Sequence, residues 1–256
     1  EVFNYLDRDT ETIWFYLIED EIVRQRDFSY FHLKFIIESL IILEKNLKKL
    51  NIKLIIKKSN FEDFIINIEK KFNIKKIVST QETWNIASYK RDLRVISFLK
   101  NESIDFLEVE NNWVVRWLKN RDNWTKIWNK RMWSDIFLEK KFKKFNNFEK
   151  ELIQSKIILE KYKEKTKHLK TQEWWEDNAI KILETFLDNR CKNYSYNIWK
   201  PYESEHSCSR LSPYITYWNI SIKYIYQKSI KKILELKTDL DENNLKKIKQ
   251  INFFFS

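Results

Sequence analysis

The sequence predicts an α/β domain built on a parallel sheet, followed by the start of an all-helical domain. In the first half, short β-branched and aromatic runs alternate with stretches of helical period. In the second half only the helical period recurs. Composition adds a third observation: the chain has 256 residues, no glycine and 11 tryptophans. Ordinary domains hold roughly 7% Gly, because tight turns and helix ends need positive φ.

Residues 12–18, Thr-Ile-Trp-Phe-Tyr-Leu-Ile, are stopped by Glu19, Asp20 and Glu21, and read as a buried strand. Over 32–50, Phe35, Ile36, Leu40, Leu43, Leu47 and Leu50 recur every three or four residues, the mark of an amphipathic helix. Residues 52–56 read as a strand, 61–72 as a helix carrying Ile65, Ile66, Ile68 and Phe72, and 74–80 as a third strand. A helix over 89–99 and a fourth strand over 104–109 follow. Strands alternating with helices imply a parallel sheet with right-handed crossovers, in which ligands sit beyond the carboxyl ends of the strands. The loop over 80–88 is therefore a candidate site.

The pattern changes near Trp133. Residues 137–148 are rich in Lys and Phe, and 134–170 read as a linker with surface helices. Helical period returns in Ala179, Ile180, Leu183, Phe186 and Leu187, again over 220–236, and more weakly after Asp241. The predicted organisation is an α/β domain over 1–133, the linker over 134–170, and a partial helical domain over 171–256.

At 31.8 kDa and 43% hydrophobic residues the chain can bury a sizeable core, and 16% aromatics exclude a disordered class. Cys191 and Cys208 cannot make a disulfide framework, so a reducing compartment is expected. The best apolar stretch, around 35–43, is short and contains Glu38, and residues 1–9 lack the order of a signal peptide. The expectation is a cytoplasmic monomer with no membrane partner. The chain does not begin with Met and starts near the middle of what reads as a structural unit, as a fragment would. Its net charge of +11 favours a polyanion such as nucleic acid, although the joint abundance of Lys, Ile and Asn in an AT-rich gene produces the same excess.

His32, His168 and His206 are far apart, and the nearby His206 and Cys208 lack two further ligands, so no metal site is expected. No catalytic residue can be named. Phosphate loops, dinucleotide fingerprints and nucleophile elbows all depend on Gly, so a glycine-free sequence would conceal them. Arg121, Trp124, Trp128 and Met132, with Arg131 adjacent, place two indoles and a thioether along one side of a helix. That side is either core packing or a wall for an aromatic ligand. Cys208-Ser209-Arg210-Leu211-Ser212-Pro213-Tyr214 groups hydroxyls and a guanidinium before a helix start. It reads as a phosphate-binding segment or simply as the start of that helix.

Ser209-Arg210-Leu211-Ser212-Pro213-Tyr214, followed by Trp218-Asn219-Ile220-Ser221, resembles the flavin-binding signature of the DNA photolyase and cryptochrome family. Phe186-Leu187 with Tyr194 resembles the opening of that family's flavin domain. Gln81-Glu82-Thr83 with Lys90-Arg91-Asp92 resembles its third-strand loop and next helix, and residues 116–132 resemble a passage of a bacterial cryptochrome-like branch. The resemblance runs in order from about residue 12 to residue 228.

The resemblance implies a Rossmann-like antenna-type domain followed by a helical FAD-binding domain, and light-driven repair of pyrimidine dimers in damaged DNA. It implies that Tyr194 contacts the flavin phosphate region, and that Cys208, Ser209, Arg210, Leu211 and Ser212 form the diphosphate and ribityl cradle. Cys208 stands where many relatives have Thr, and a thiol is the weaker donor. Gln81 and Glu82 would contact a second, antenna chromophore of unknown type. A cryptochrome-like blue-light photoreceptor and a non-catalytic nucleic-acid-binding remnant are the alternative functions. The family's first strand and the second half of its helical domain find no counterpart, so this chain alone is expected to bind FAD poorly and to repair nothing.

At Trp84, Trp113, Trp117, Trp174, Trp175 and Trp218 the family pattern has Gly, as it does at Cys191, whereas Trp124 and Trp128 fall on aromatic positions. A left-handed non-Gly residue costs about 1–2 kcal/mol and overpacking about 1–3 more, so such replacements together reach the order of 10 kcal/mol. Whole domains have about 5–15 kcal/mol of stability. The sequence therefore reads as one in which TGA codons for glycine are written as Trp, with TGG expected at Trp124 and Trp128.

Overall fold

β-branched runs found their partners in parallel. β1 (Ile13–Leu17) pairs with β2 (Lys53–Lys57), and β3 (Lys76–Thr80) with β4 (Asp105–Val109). The structure, a computed structural model, describes residues 2–82, 85–110, 115, 116, 118, 120–136, 141–170 and 175–255. Its helices are α1 (Asp20–Val23), α2 (Tyr30–Lys49), α3 (Phe61–Glu69), α4 (Ile86–Asn101), α5 (Trp124–Met132), α6 (Glu149–Thr166), α7 (Glu176–Asp188), α8 (Tyr194–Asn197), α9 (Pro201–Ser207), α10 (Ser212–Thr216), α11 (Ile222–Leu236) and α12 (Glu242–Phe254). Short 3-10 turns cover Val2–Tyr5 and Arg190–Asn193. The chain divides into two compact units, one of residues 1–114 and 137–172, the other of residues 115–136 and 173–256.

In the first unit the predicted single sheet is instead two sheets of two strands. The turn Val2–Tyr5 packs against β3, and its Phe3 ring lies 5.2 Å from Trp14 of β1, yet it adds no ladder bonds to either strand among the described residues. With β2 as its one hydrogen-bonded neighbour among the described residues, β1 is half-buried throughout, not buried as its sequence predicts. Both sheets feed one core: Ile55, Phe61, Phe64, Ile68, Ile77, Val95, Leu99 and Ile104.

Residues 141–166, predicted within the linker, lie along β2 in this unit. An uncovered strand leaves backbone groups unpaired, and this segment engages those of Ile56 and bonds to the residues around it. Ser155 Oγ accepts the Ile56 N–H at 2.8 Å, Phe142 N–H donates to the Leu50 carbonyl at 2.9 Å, and Lys53 Nζ donates to that of Asn147 at 2.9 Å. Phe145 and Phe148 join the core.

The second unit is helical. Ala179, Leu183, Phe186 and Leu187 of α7 pack with Leu211, Tyr214, Ile225, Ile233 and Ile251. On α5, Trp124 stacks on Trp128 at 5.9 Å, Trp128 meets Tyr226 of α11 edge-on at 4.8 Å, and Met132 is buried. The aromatic side of that helix is thus a packing face. Among the described residues no helix is long and apolar enough to cross a membrane.

Three helices stop in the same way without glycine. After α2, α4 and α10 the residues Asn51, Ser103 and Trp218 take φ of 65°, 58° and 60°. In each case the next N–H reaches five residues back: Ile52 to the Leu47 carbonyl (3.0 Å), Ile104 to Leu99 (3.0 Å), and Asn219 to Tyr214 (2.8 Å). This termination normally uses Gly or Asn.

Candidate functional site

The loop between α9 and α10 brings the predicted cradle residues together. Cys208 is extended (φ −84°, ψ 162°), Arg210 is left-handed (φ 60°), and Leu211 returns to the right-handed region (φ −90°, ψ −15°). Leu211 is fully buried beside Tyr214, whose hydroxyl accepts from Asn178 at 2.9 Å, so its side chain anchors the loop in the core. Tyr194 enters from α8 and packs edge-on against Phe186 (5.5 Å) and Phe254 (5.7 Å). Burial raises the Tyr194 pKa, and the nearby Cys208 thiolate raises it further. Burial also raises that of Cys208, against the opposing charges of Arg210 and Arg190.

Arg190, which the sequence reading did not single out, is the centre of this arrangement. Its guanidinium donates to the carbonyls of Cys208, Ser209 (3.4 Å) and Ile182 (2.7 Å) and to Thr185 Oγ1 (3.3 Å). The Phe186 ring centre lies 5.8 Å from it. Burial, and then the like charge of Arg210, push its pKa below the ordinary guanidinium value. Among the described residues neither arginine is paired with a carboxylate. The backbone N–H groups of Ser209, Arg210, Leu211 and Ser212, and the two serine hydroxyls, donate to no described acceptor. Two cations, free amides and free hydroxyls without a carboxylate suit the oxygens of a diphosphate. The residues present therefore fit the phosphates of FAD.

Polar residues also follow the carboxyl ends of β1 and β3. Gln81 donates its N–H to the Val109 carbonyl at 3.0 Å, while its side-chain Oε1 and Thr80 Oγ1 are buried with no described partner. Glu82 is half-buried, and Thr83 and Trp84, in the predicted site loop, lie outside the described residues. Glu19, read from the sequence as a strand terminator, is only 4% exposed. One oxygen meets Arg91 at 3.0 Å, and the other has no partner among the described residues. Burial raises the Glu19 pKa more than Arg91 lowers it. Arg94 braces the rim, bonding Glu21 at 2.5 and 3.1 Å and Glu62 at 2.6 Å. The signal for Glu19 was its place just past a parallel strand, the same rule that singled out residues 80–88.

Of the positions where the resemblance has Gly, Trp84, Trp113, Trp117 and Trp174 lie outside the described residues. Trp175 is extended (φ −138°, ψ 166°), and Cys191 is buried with its thiol 3.5 Å from the Leu187 carbonyl. Trp218 alone among the described ones is left-handed.

The DNA photolyase family model matches residues 6–123. No curated protein matches the sequence. Among solved structures, a bacterial class III photolyase from Agrobacterium tumefaciens aligns at TM-score 0.65 and 15% identity, covering 95% of this chain and 52% of its own. An archaeal photolyase from Sulfolobus tokodaii, described with two FAD molecules and an implied novel light-harvesting cofactor, aligns at TM-score 0.60 and 18% identity over 92% of this chain and 53% of its own. A cryptochrome from Synechocystis aligns at TM-score 0.58 and 15% identity, over 94% and 54% respectively. The fold is similar to that of these two photolyases and this cryptochrome, and the chain spans about half the length of these structures.

Proposed function

We propose that the chain is the antenna-type domain and partial flavin domain of a light-driven DNA repair enzyme, a deoxyribodipyrimidine photolyase of a bacterial cryptochrome-like branch. The observation that carries this reading is the loop 208–212, with Arg210 unpaired with a carboxylate and with unengaged N–H and hydroxyl donors among the described residues, held by Arg190 within a photolyase-type fold.

In this reading Ser209 and Ser212 donate to the phosphate oxygens of FAD, Arg210 supplies the compensating charge, and Arg190 holds the loop by its carbonyls. Leu211 and Tyr214 hold the loop against α7, and Phe186, Tyr194 and Phe254 keep water from its inner side. Reduced FAD, when bound, supplies light-driven one-electron chemistry towards a pyrimidine dimer. The chain's net charge of +11 draws the phosphate backbone of damaged DNA, and poor stacking at the lesion eases its extrusion. Gln81 and Glu82, joined by Glu19 and Thr80, would hold a second chromophore. The protein acts in the cytoplasm as a monomer.

The test is illumination of ultraviolet-damaged DNA with the product of the full reading frame encoding this sequence, supplied with reduced FAD. Loss of dimers in blue light and not in the dark is the expected result. Flavin retention without dimer loss would point instead to a photoreceptor. Absence of flavin would remove both readings and favour a nucleic-acid-binding remnant.

A further inference from the structure

We infer that Arg190 is the positioning residue of the cradle, orienting the peptide groups of loop 208–210 so that they offer N–H rather than C=O to an anionic ligand. The inference rests on the flavin reading above and goes beyond it, because Arg190 lies outside the loop that carries the resemblance. The guanidinium takes hold of two consecutive carbonyls, those of Cys208 and Ser209, and is itself fixed by Thr185 and the Ile182 carbonyl on α7.

The described peptide bonds are all trans. In a planar trans peptide the N–H points opposite to the C=O. Holding the Cys208 and Ser209 carbonyls on Arg190 therefore turns the N–H groups of Ser209 and Arg210 to the other side of the loop. Both are free of described acceptors. A released peptide could flip and present its oxygen, which repels a phosphate. The left-handed Arg210 is a conformation that costs a non-glycine residue energy, and the anchored carbonyls before it hold the chain there. Lys could not replace this function, since it lacks the planar fork that spans several acceptors at once.

The experiment compares FAD with riboflavin, which has no phosphate, by fluorescence quenching on the full reading-frame product and on its Arg190→Lys variant. The expected result is a loss of about tenfold in FAD affinity, the scale of one charge-assisted hydrogen bond, with riboflavin affinity unchanged within about twofold. Parallel loss of both ligands would assign Arg190 to packing and overturn the inference, as would no loss of either. A parent protein that binds no FAD would defeat the flavin reading and this inference together, whereas a parent that binds and a variant that binds equally well defeats only the inference. Should Arg190→Lys fail to fold, inorganic pyrophosphate added to the unaltered protein gives the second readout. The Ser209 and Arg210 amide resonances should shift, and unmoved amides would overturn the assignment.

Discussion

Trp218 ends α10 in a left-handed conformation that two other helix ends give to Asn51 and Ser103. Asn tolerates this region through its short polar side chain, whereas an indole gains nothing there. Trp218→Gly should raise the unfolding free energy by about 1–2 kcal/mol. Trp175→Gly should show no such backbone gain, because Trp175 is extended. Urea midpoints of the two variants check this, and an equal response at both positions would remove the backbone argument for glycine at Trp218. The coding DNA checks the wider reading: TGA at the six singled-out positions and TGG at Trp124 and Trp128.

Glu19 supplies a pH prediction at the same scale. Its folded pKa lies above the ordinary 4.5, so the native state holds a proton that the unfolded chain has already lost. Stability from this group is present below 4.5 and is lost as pH rises through the folded value. Glu19→Gln cannot ionise, so its unfolding free energy relative to the parent should climb as pH rises from about 4.5. A difference that stays level with pH, or falls, would contradict the assignment.

Among the elements, α6 depends on one hydroxyl. Ser155 is buried, and its Oγ takes the Ile56 N–H on the side of β2 away from the core pairing with β1, while lying 2.7 Å from the Glu151 carbonyl. Ser155→Ala leaves that N–H without a partner and should cost about 1–3 kcal/mol. Faster hydrogen exchange at Ile56 would report it, and unchanged exchange would mean that water replaces the hydroxyl. The four strands and the long helices were legible because each rests on a local period of apolar residues. Sheet division was not, since pairing beyond β1 and β3 is a non-local matter that no run of residues records. The packing of α6 was hidden for a different reason: its surface is dense in Lys and Glu, and the edge it covers is recognised through backbone groups. The same reason hid Arg190. Loop 208–212 could be read from its own residues, but Arg190 acts 18 residues upstream of Cys208 on carbonyls that every sequence possesses.

For the whole molecule, 48 basic against 37 acidic residues make the charge a property of the surface rather than of one motif. Binding to duplex DNA should therefore weaken steeply with salt, by about 10³ or more between 50 and 200 mM if six or more phosphates are neutralised. A filter-binding or anisotropy series checks this, and affinity independent of salt would exclude the phosphate backbone as the contact. The fold and the flavin proposal meet in loop 208–212, and flavin retention tests that meeting most directly. The full reading-frame product, equilibrated with FAD and passed through gel filtration, should carry flavin absorbance with the protein, and the Arg210→Ala, Ser212→Ala double variant should lose most of it. A parent that retains no flavin, or a double variant that retains as much as the parent, would contradict the account.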